Sequence, residues 1–474
     1  MNAWLKRGAF LLRARAPRVF RPRLQSRYST QLSAPKKEHE RLYEQERYYD
    51  EESISKYRPG GYHPIHLHDQ LHQRYRVVAK LGWGSSSTTW LAVDGQTSKY
   101  VAVKVGTGNA DSTNRDVLTQ LTPSKPDNRG SKDRLKLFPT ILDHFYLTGP
   151  NGIHPCLVTP LARCSVHAAQ DKAAWGSGVF QLDVARSLAA QLVVATASVH
   201  SRGYVHGGIH GRNLLLQSSS FLDGVSVGKL YEEYGDPRTH HEPIVRVGTK
   251  KPPTDPGVPS YLSCSTIMGK PSHEFTLGEA NLLMTDFASA FRPSDKPRSR
   301  VLLDHQHHPP EWLFEPQSPL PFAGEIWTLG CVIFELVGNY LQSNPSWCVP
   351  DEEVIAQLVE LQGIMPPEWW AQWKERPDWF DEADRSLRNP ASITSWDRWF
   401  EECVQSPRRG NGWETMGADE RDALLGLLRW MLAWKPGDRP DVMQVLEAEW
   451  MTRWALPAYQ KGLELQKSSS ASSV

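Results

Sequence analysis

The alternation of hydrophobic and polar positions changes period along the 474-residue chain, and each change marks a predicted element. From Tyr75 the residues alternate. Tyr75-Arg76-Val77-Val78-Ala79-Lys80-Leu81 leads into a glycine-bearing turn, then Thr88-Thr89-Trp90-Leu91-Ala92-Val93, then Tyr100-Val101-Ala102-Val103-Lys104-Val105. A period of two rich in β-branched and aromatic residues predicts three strands joined by short polar turns. Residues 183–200 switch to helical spacing, with Val184, Leu188, Leu192, Ala195 and Val199 on one face. A second stripe, Ile326, Leu329, Ile333 and Leu336, predicts a buried helix within a mostly helical stretch, 322–455.

Between these regions the pattern breaks. Residues 218–283 are rich in Gly, Pro and Ser and read as an inserted spacer. Residues 36–74 read as a linker or N-terminal extension, with any helix broken at Tyr57-Arg58-Pro59-Gly60-Gly61. Residues 456–474 read as a disordered tail, polar from Lys467-Ser468-Ser469-Ser470 onward.

Composition adds bounds. Hydrophobic residues at 39% and charged residues at 23% suit a globular chain with a substantial core, and a net charge of +1 gives no overall bias toward nucleic acid or membrane. Cysteines at 156, 164, 264, 331, 348 and 403 lack paired spacing, which argues against a disulfide framework or a zinc knuckle. No uninterrupted run of about 18 apolar residues is present, so no transmembrane segment is expected. The N-terminus is different: Lys6, Arg7, Arg13, Arg15, Arg18, Arg21, Arg23 and Arg27 precede the first acidic residue, Glu38. With Trp4, Leu5, Phe10, Leu11 and Leu12, residues 1–35 have the composition of a mitochondrial transit peptide. The alternative is a basic tail on a cytoplasmic or nuclear protein.

The candidate chemistry lies in an ordered series of short motifs. Leu81-Gly82-Trp83-Gly84-Ser85-Ser86-Ser87 joins two strands, and its glycines allow backbone N–H groups to approach phosphates. Lys104 follows on the next strand, where a lysine pairs with α- and β-phosphates. Asp116, in the next helical stretch, is the candidate acidic partner for that lysine. His206-Gly207-Gly208-Ile209-His210-Gly211-Arg212-Asn213 has the spacing of a catalytic loop, with Asn213 at a metal-binding position. Asp286-Phe287-Ala288 supplies a carboxylate for Mg2+, and Pro309-Pro310-Glu311 stands where an activation segment ends.

Taken in this order and at these intervals, residues 75–455 resemble a eukaryotic protein kinase, and in particular the SR-protein kinases. Lys80-Leu81-Gly82-Trp83-Gly84, Ser87-Thr88, Trp90-Leu91 and the run from Asp351-Glu352-Glu353-Val354-Ile355-Ala356 to Glu360-Leu361-Gln362-Gly363 carry the resemblance. It implies an α+β bilobal fold, with a small β-rich lobe at 75–162 and a larger helical lobe at 163–455. It implies ATP and Mg2+ as cofactors, a monomer, and a protein substrate that is Arg/Ser-rich or basic, without direct nucleic-acid binding. His154-Pro155-Cys156-Leu157-Val158-Thr159-Pro160-Leu161-Ala162 resembles the strand entering the hinge. That places Thr159 at the gatekeeper position and Pro160 and Ala162 at the adenine contacts, where a proline carbonyl and an alanine N–H suffice. Glu311 is expected to pair with Arg439.

The departures cluster in one loop. Gly208 stands where the family has its catalytic aspartate, so the proton acceptor is lost. His210 stands where protein kinases carry a lysine, Ala288 replaces a glycine, and Glu325 replaces an aspartate that braces the loop. Three readings stay open: a serine/threonine protein kinase with weakened catalysis, a pseudokinase that binds nucleotide or a partner, and a small-molecule phosphotransferase suggested by His210.

Overall fold

The computed structural model describes residues 43–45, 51–122, 137–171, 178–217, 221–238, 241–295, 307–338, 351–390 and 393–471. The basic N-terminus and the middle of the activation segment, residues 296–306, lie outside the described residues. The strands are β1 (Tyr43–Gln45), β2 (Gln70–Leu71), β3 (Tyr75–Gly84), β4 (Ser87–Asp94), β5 (Tyr100–Gly106), β6 (Asp143–Gly149), β7 (Gly152–Pro160), β8 (Cys164–Ser165), β9 (Leu214–Leu216), β10 (His241–Arg246), β11 (Tyr261–Ser263) and β12 (Leu282–Met284). The longer helices are α1 (Thr113–Leu121), α2 (Leu182–His200), α3 (Val227–Tyr234), α4 (Phe322–Val337), α5 (Asp351–Gln362), α6 (Ala418–Met431) and α7 (Leu456–Ala471). The last replaces the expected disordered tail, because Leu456 and Tyr459 pack against the large-lobe core.

Strands β2 to β7 form one antiparallel sheet in the order β2-β3-β4-β5-β7-β6. The predicted alternation is what buries it: Val77, Trp90, Val101, Val103, Val105 and Val158 point to one apolar layer. The β3–β4 hairpin closes through the pair Gly84↔Ser87, leaving Ser85 and Ser86 as a two-residue turn. The larger lobe is helical around α2, whose predicted face is fully inside with Val184, Leu188, Leu192, Ala195 and Val199. Ile326, Leu329, Ile333 and Leu336 of α4 join the same core, together with Trp327 and Trp450. This is the bilobal α+β fold of protein kinases.

By length and mean hydropathy, α2 is also able to cross a membrane, although no continuous apolar run marks it in the sequence. Its apolar window is 78% buried, because the other helices of the large lobe pack around it.

The insert and the N-terminal extension have more structure than their composition announces. β1, β10 and β11 form a small antiparallel sheet, so the extension and the insert pair with each other. α3 lies against β3, with the Tyr231 hydroxyl donating to the Val78 carbonyl at 2.7 Å and the Tyr100 hydroxyl donating to the Val225 carbonyl at 3.0 Å. Buried Lys80 of β3 meets the carboxylates of Glu51 and Glu52 and the carbonyl of Ser263. Glycines and prolines in 218–283 shape the turns, while a few apolar residues such as Leu222, Leu230 and Met268 dock it.

Candidate active site

The site is assembled where the two lobes meet. On β5, buried Val103 and Val105 flank Lys104 and leave it on the opposite, less buried face. A second small sheet, β12-β9-β8, brings the two remaining motifs together. The register Met284↔Leu214 places Asp286, just after β12, beside Asn213, just before β9. The Thr285 N–H and hydroxyl both donate to the Asn213 carbonyl, at 2.9 and 2.8 Å, and fasten that junction.

Asp286 adopts a left-handed backbone conformation, φ 65°, one that aspartate tolerates better than most residues. Its Oδ1 lies 2.6 Å from the Lys104 ammonium. Burial pushes the Asp286 carboxyl up, but Lys104 outweighs it and holds the group below the usual range, so it is an anion at neutral pH. The Asn213 amide nitrogen donates to the Gly208 carbonyl at 2.9 Å and lies 3.1 Å from His210 Nε2. Its amide oxygen is thus the atom offered to a metal.

Glu325 occupies the bracing position in full. Its carboxylate accepts the backbone N–H groups of His206 at 3.1 Å and Gly207 at 2.8 Å, and contacts His200 Nε2 at 2.8 Å. The extra methylene relative to aspartate is therefore accommodated by the first turn of α4. His206 is buried, its Nε2 donating to the Thr285 carbonyl at 3.0 Å and its ring 4.5 Å from that of Phe287. Burial lowers its pKa, which keeps the imidazole neutral.

At Gly208 a side chain would be a close fit. A Cβ there would sit 3.3 Å from Asn213 Nδ2 and 3.6 Å from His206 Nδ1, with no left-handed φ to forbid it. The backbone conformation does not demand glycine, and a side chain fits once the Asn213 amide gives by a few tenths of an ångström. At Gly82 and Gly84 a Cβ would meet nothing within 4 Å, but Gly82, at φ 158°, has a backbone conformation that side chains rarely adopt.

Asp116 is not brought to Lys104. Its carboxylate takes the Ser112 hydroxyl at 2.5 Å and the Arg115 guanidinium at 2.8 Å, and about half of it is exposed. An aspartate is short, and two local donors capture it before it can cross the cleft. α1 reaches the site through another residue, Asn114, whose side-chain oxygen accepts the Phe287 N–H at 2.8 Å. A cavity of about 250 Å3 lies between α1, Lys104, Tyr146 and Ala288, on the side where an acidic partner from α1 would stand.

Thr159 and Pro160 pair with Ala102 and Val101 at the end of β7, and Ala162 follows in the link to the large lobe. Leu81, Gly82, Trp83, Gly84, Ser85 and Ser86 are partly or largely exposed, and only Ser87 is buried. Arg439 donates to both carboxylate oxygens of Glu311, at 2.8 and 2.7 Å, with both residues buried.

Residues that sequence motifs did not single out also reach the site. Thr285 precedes the Asp286-Phe287-Ala288 triplet and Asn114 lies two residues before Asp116, but their types are common in loops and caps. Tyr62, whose hydroxyl donates to the Gly84 carbonyl at 2.6 Å, lies 22 residues from its partner with no local signal joining them.

A chain with this two-lobed fold, a Lys104–Asp286 pair and a braced His206–Asn213 loop is of the protein-kinase class. Comparison with known proteins gives the family more closely. Protein kinase dsk1 of Schizosaccharomyces pombe is 23% identical over 486 residues, covering 86% of each chain. Serine/threonine-protein kinase SKY1 of Saccharomyces cerevisiae is 34% identical over 178 residues, 35% of this chain and 23% of that protein. SRSF protein kinase 3 of Homo sapiens is 37% identical over 111 residues, 23% of this chain and 19% of that protein. The last two alignments thus span under a quarter of those relatives. No family model matches the chain. Homology supports membership in the SR-protein-kinase-like family of protein kinases, and with it nucleotide use in general.

Proposed function

We propose that the chain is an ATP- and Mg2+-dependent serine/threonine protein kinase of the SR-protein-kinase type, slowed by the glycine at position 208. The observation that carries this reading is the Lys104–Asp286 pair at 2.6 Å, set beside the amide of Asn213. The donor set fits the cofactors. Asp286 and Asn213 offer hard oxygen ligands of the kind Mg2+ takes, and the glycine hairpin offers backbone N–H groups. When bound, Mg2+ neutralises charge on the β- and γ-phosphates.

The protein's own groups then have defined tasks. Lys104 holds the α- and β-phosphates, and Asp286 and Asn213 hold the metal. The Pro160 carbonyl and Ala162 N–H receive the adenine. Gly208 offers no carboxylate to the substrate hydroxyl, so the proton passes to water, and the loss of a positioned base slows transfer by about 10²–10⁴. Electrostatic stabilisation survives through the other groups. The substrate is a protein segment rich in Arg and Ser. Exposed Asp378, Glu382 and Asp384 support it as a cation-attracting surface.

A second reading, a nucleotide-binding pseudokinase, is favoured by Gly208 alone. One experiment separates them: γ-phosphate transfer to an Arg/Ser peptide by the purified protein, beside Gly208→Asp and Asp286→Ala. Transfer by the natural sequence that disappears in Asp286→Ala supports the kinase. No transfer by the natural sequence, with an ATP- and Mg2+-dependent rise in melting temperature, supports the pseudokinase. The basic N-terminus is proposed to direct mitochondrial import, and uptake by isolated mitochondria tests it.

A further inference from the structure

Residues 51–62 precede the sheet of the small lobe, yet they fasten both ends of its glycine-bearing strand segment. At the entry, Lys80 is fully buried and its ammonium meets the carboxylates of Glu51, at 2.6 Å, and Glu52. The Tyr57 hydroxyl donates to Glu52 at 2.6 Å, and the Ser265 N–H of the insert donates to Glu51 at 2.7 Å. At the exit, four residues on, the Tyr62 hydroxyl donates to the Gly84 carbonyl at 2.6 Å.

Tyr62 is itself held firmly. It is 1% exposed, and its ring meets that of Tyr57 edge-on at 5.5 Å. Its carbonyl accepts Asn151 Nδ2 at 2.7 Å, and the same amide contacts the Gly257 carbonyl of the insert at 2.7 Å. Gly61 and Gly60 accept the Gly108 and Asn109 N–H groups at 2.8 and 3.0 Å, beyond the end of β5. Burial keeps the phenol protonated, and therefore a donor, throughout the physiological range. Between the two fixed ends, Gly82 has no neighbour that would contact a side chain.

In a trans peptide the carbonyl and the following N–H point in opposite directions. Fixing the Gly84 carbonyl on Tyr62 therefore turns the Ser85 N–H to the face away from Tyr62. We infer that Tyr62 is a positioning residue of the nucleotide site, orienting the Gly84–Ser85 peptide so that the hairpin presents an N–H donor to the phosphates. The inference rests on the nucleotide reading above. Its energetic content is preorganisation, since an untethered hairpin must be ordered at the moment of binding.

The test uses the full chain, with ATP plus Mg2+ and, separately, adenosine, binding measured by calorimetry for the natural protein and Tyr62→Phe. The phenylalanine keeps the ring that packs on Tyr57 and removes the hydroxyl, which donates to Gly84 and also accepts Lys56 Nζ at 3.4 Å. ATP binding is expected to weaken about three- to tenfold, the worth of one hydrogen bond, while adenosine binding is unchanged because the base contacts lie on β7 and its exit. Hydrogen exchange across residues 82–87 of the ligand-free variant is expected to rise. Equal ATP affinity in both proteins overturns the inference, and so does parallel weakening of ATP and adenosine, which marks a general loosening of the lobe. Failure of the natural protein to bind ATP removes the nucleotide reading itself, and this inference with it.

Discussion

The Lys104 ammonium lies 2.6 Å from the Asp286 carboxylate, so the cation of the small lobe and the anion at the root of the activation segment neutralise each other across the cleft. Each is less than a third exposed, and neither has to be paid for by a distant partner. Loss of one leaves the other uncompensated in a partly desolvated place. Lys104→Met and Asp286→Ala are each expected to abolish the rise in melting temperature given by ATP with Mg2+. A retained rise in either variant would place the nucleotide elsewhere.

Asp116, by contrast, is held by Ser112 and Arg115 on the exposed side of α1. Asp116→Ala is expected to change ATP affinity less than about twofold and stability by under about 0.5–1 kcal/mol, the range for surface pairs. A tenfold loss of ATP affinity would show that α1 closes onto Lys104 when nucleotide binds.

The ordinary backbone at Gly208 makes the restoring substitution informative. Gly208→Asp is expected to fold, because the nearest atom to a new Cβ is the movable Asn213 amide at 3.3 Å. Transfer to a basic serine peptide is expected to rise by about 10²–10⁴. An unchanged rate in a folded variant would mean that the base is not what limits the reaction.

Glu311 and Arg439 form a bidentate pair that is buried among Trp327 and the carbonyls of Ala323, Ala433 and Trp434. Truncating one partner strands the other charge, at a cost of about 3–5 kcal/mol. Glu311→Ala is accordingly expected to lower the unfolding midpoint in urea markedly. A midpoint within error of the natural protein would show that the large lobe does not depend on the pair.

The pH dependence of stability has an identifiable contributor in the N-terminal extension. Burial, with the neighbouring imidazole of His154 adding to it, holds His63 down at about 4, and the two rings are 4.7 Å apart. The unfolded chain takes up this proton near pH 6.5 and the folded chain refuses it until about 4, so stability falls as pH drops through that window. His63→Gln is expected to flatten the fall in melting temperature between pH 6.5 and 4. An identical slope would assign the acid sensitivity to other groups.

Much of the fold was legible because it is written in neighbouring residues. The alternation at 75–105 specified three strands and their buried face, and the stripes at 184–199 and 326–336 specified the two central helices of the large lobe. The membrane-compatible hydropathy of α2 was less visible, since Arg186 and Gln191 interrupt its apolar run while the average stays high.

The order of the motifs in the sequence defined which residues compete for each role, and Gly208 could be seen there directly. Only the tertiary structure decided who meets whom. Lys104 is joined to Asp286 and not Asp116, Glu325 reaches the loop despite its added methylene, and the extension grips the glycine strand through Tyr62 and Lys80. The physical reason is one of range. Periodicity and turn chemistry act over a few residues and are encoded locally, whereas a contact between Tyr62 and Gly84, or Lys80 and Ser263, exists only after distant segments have packed.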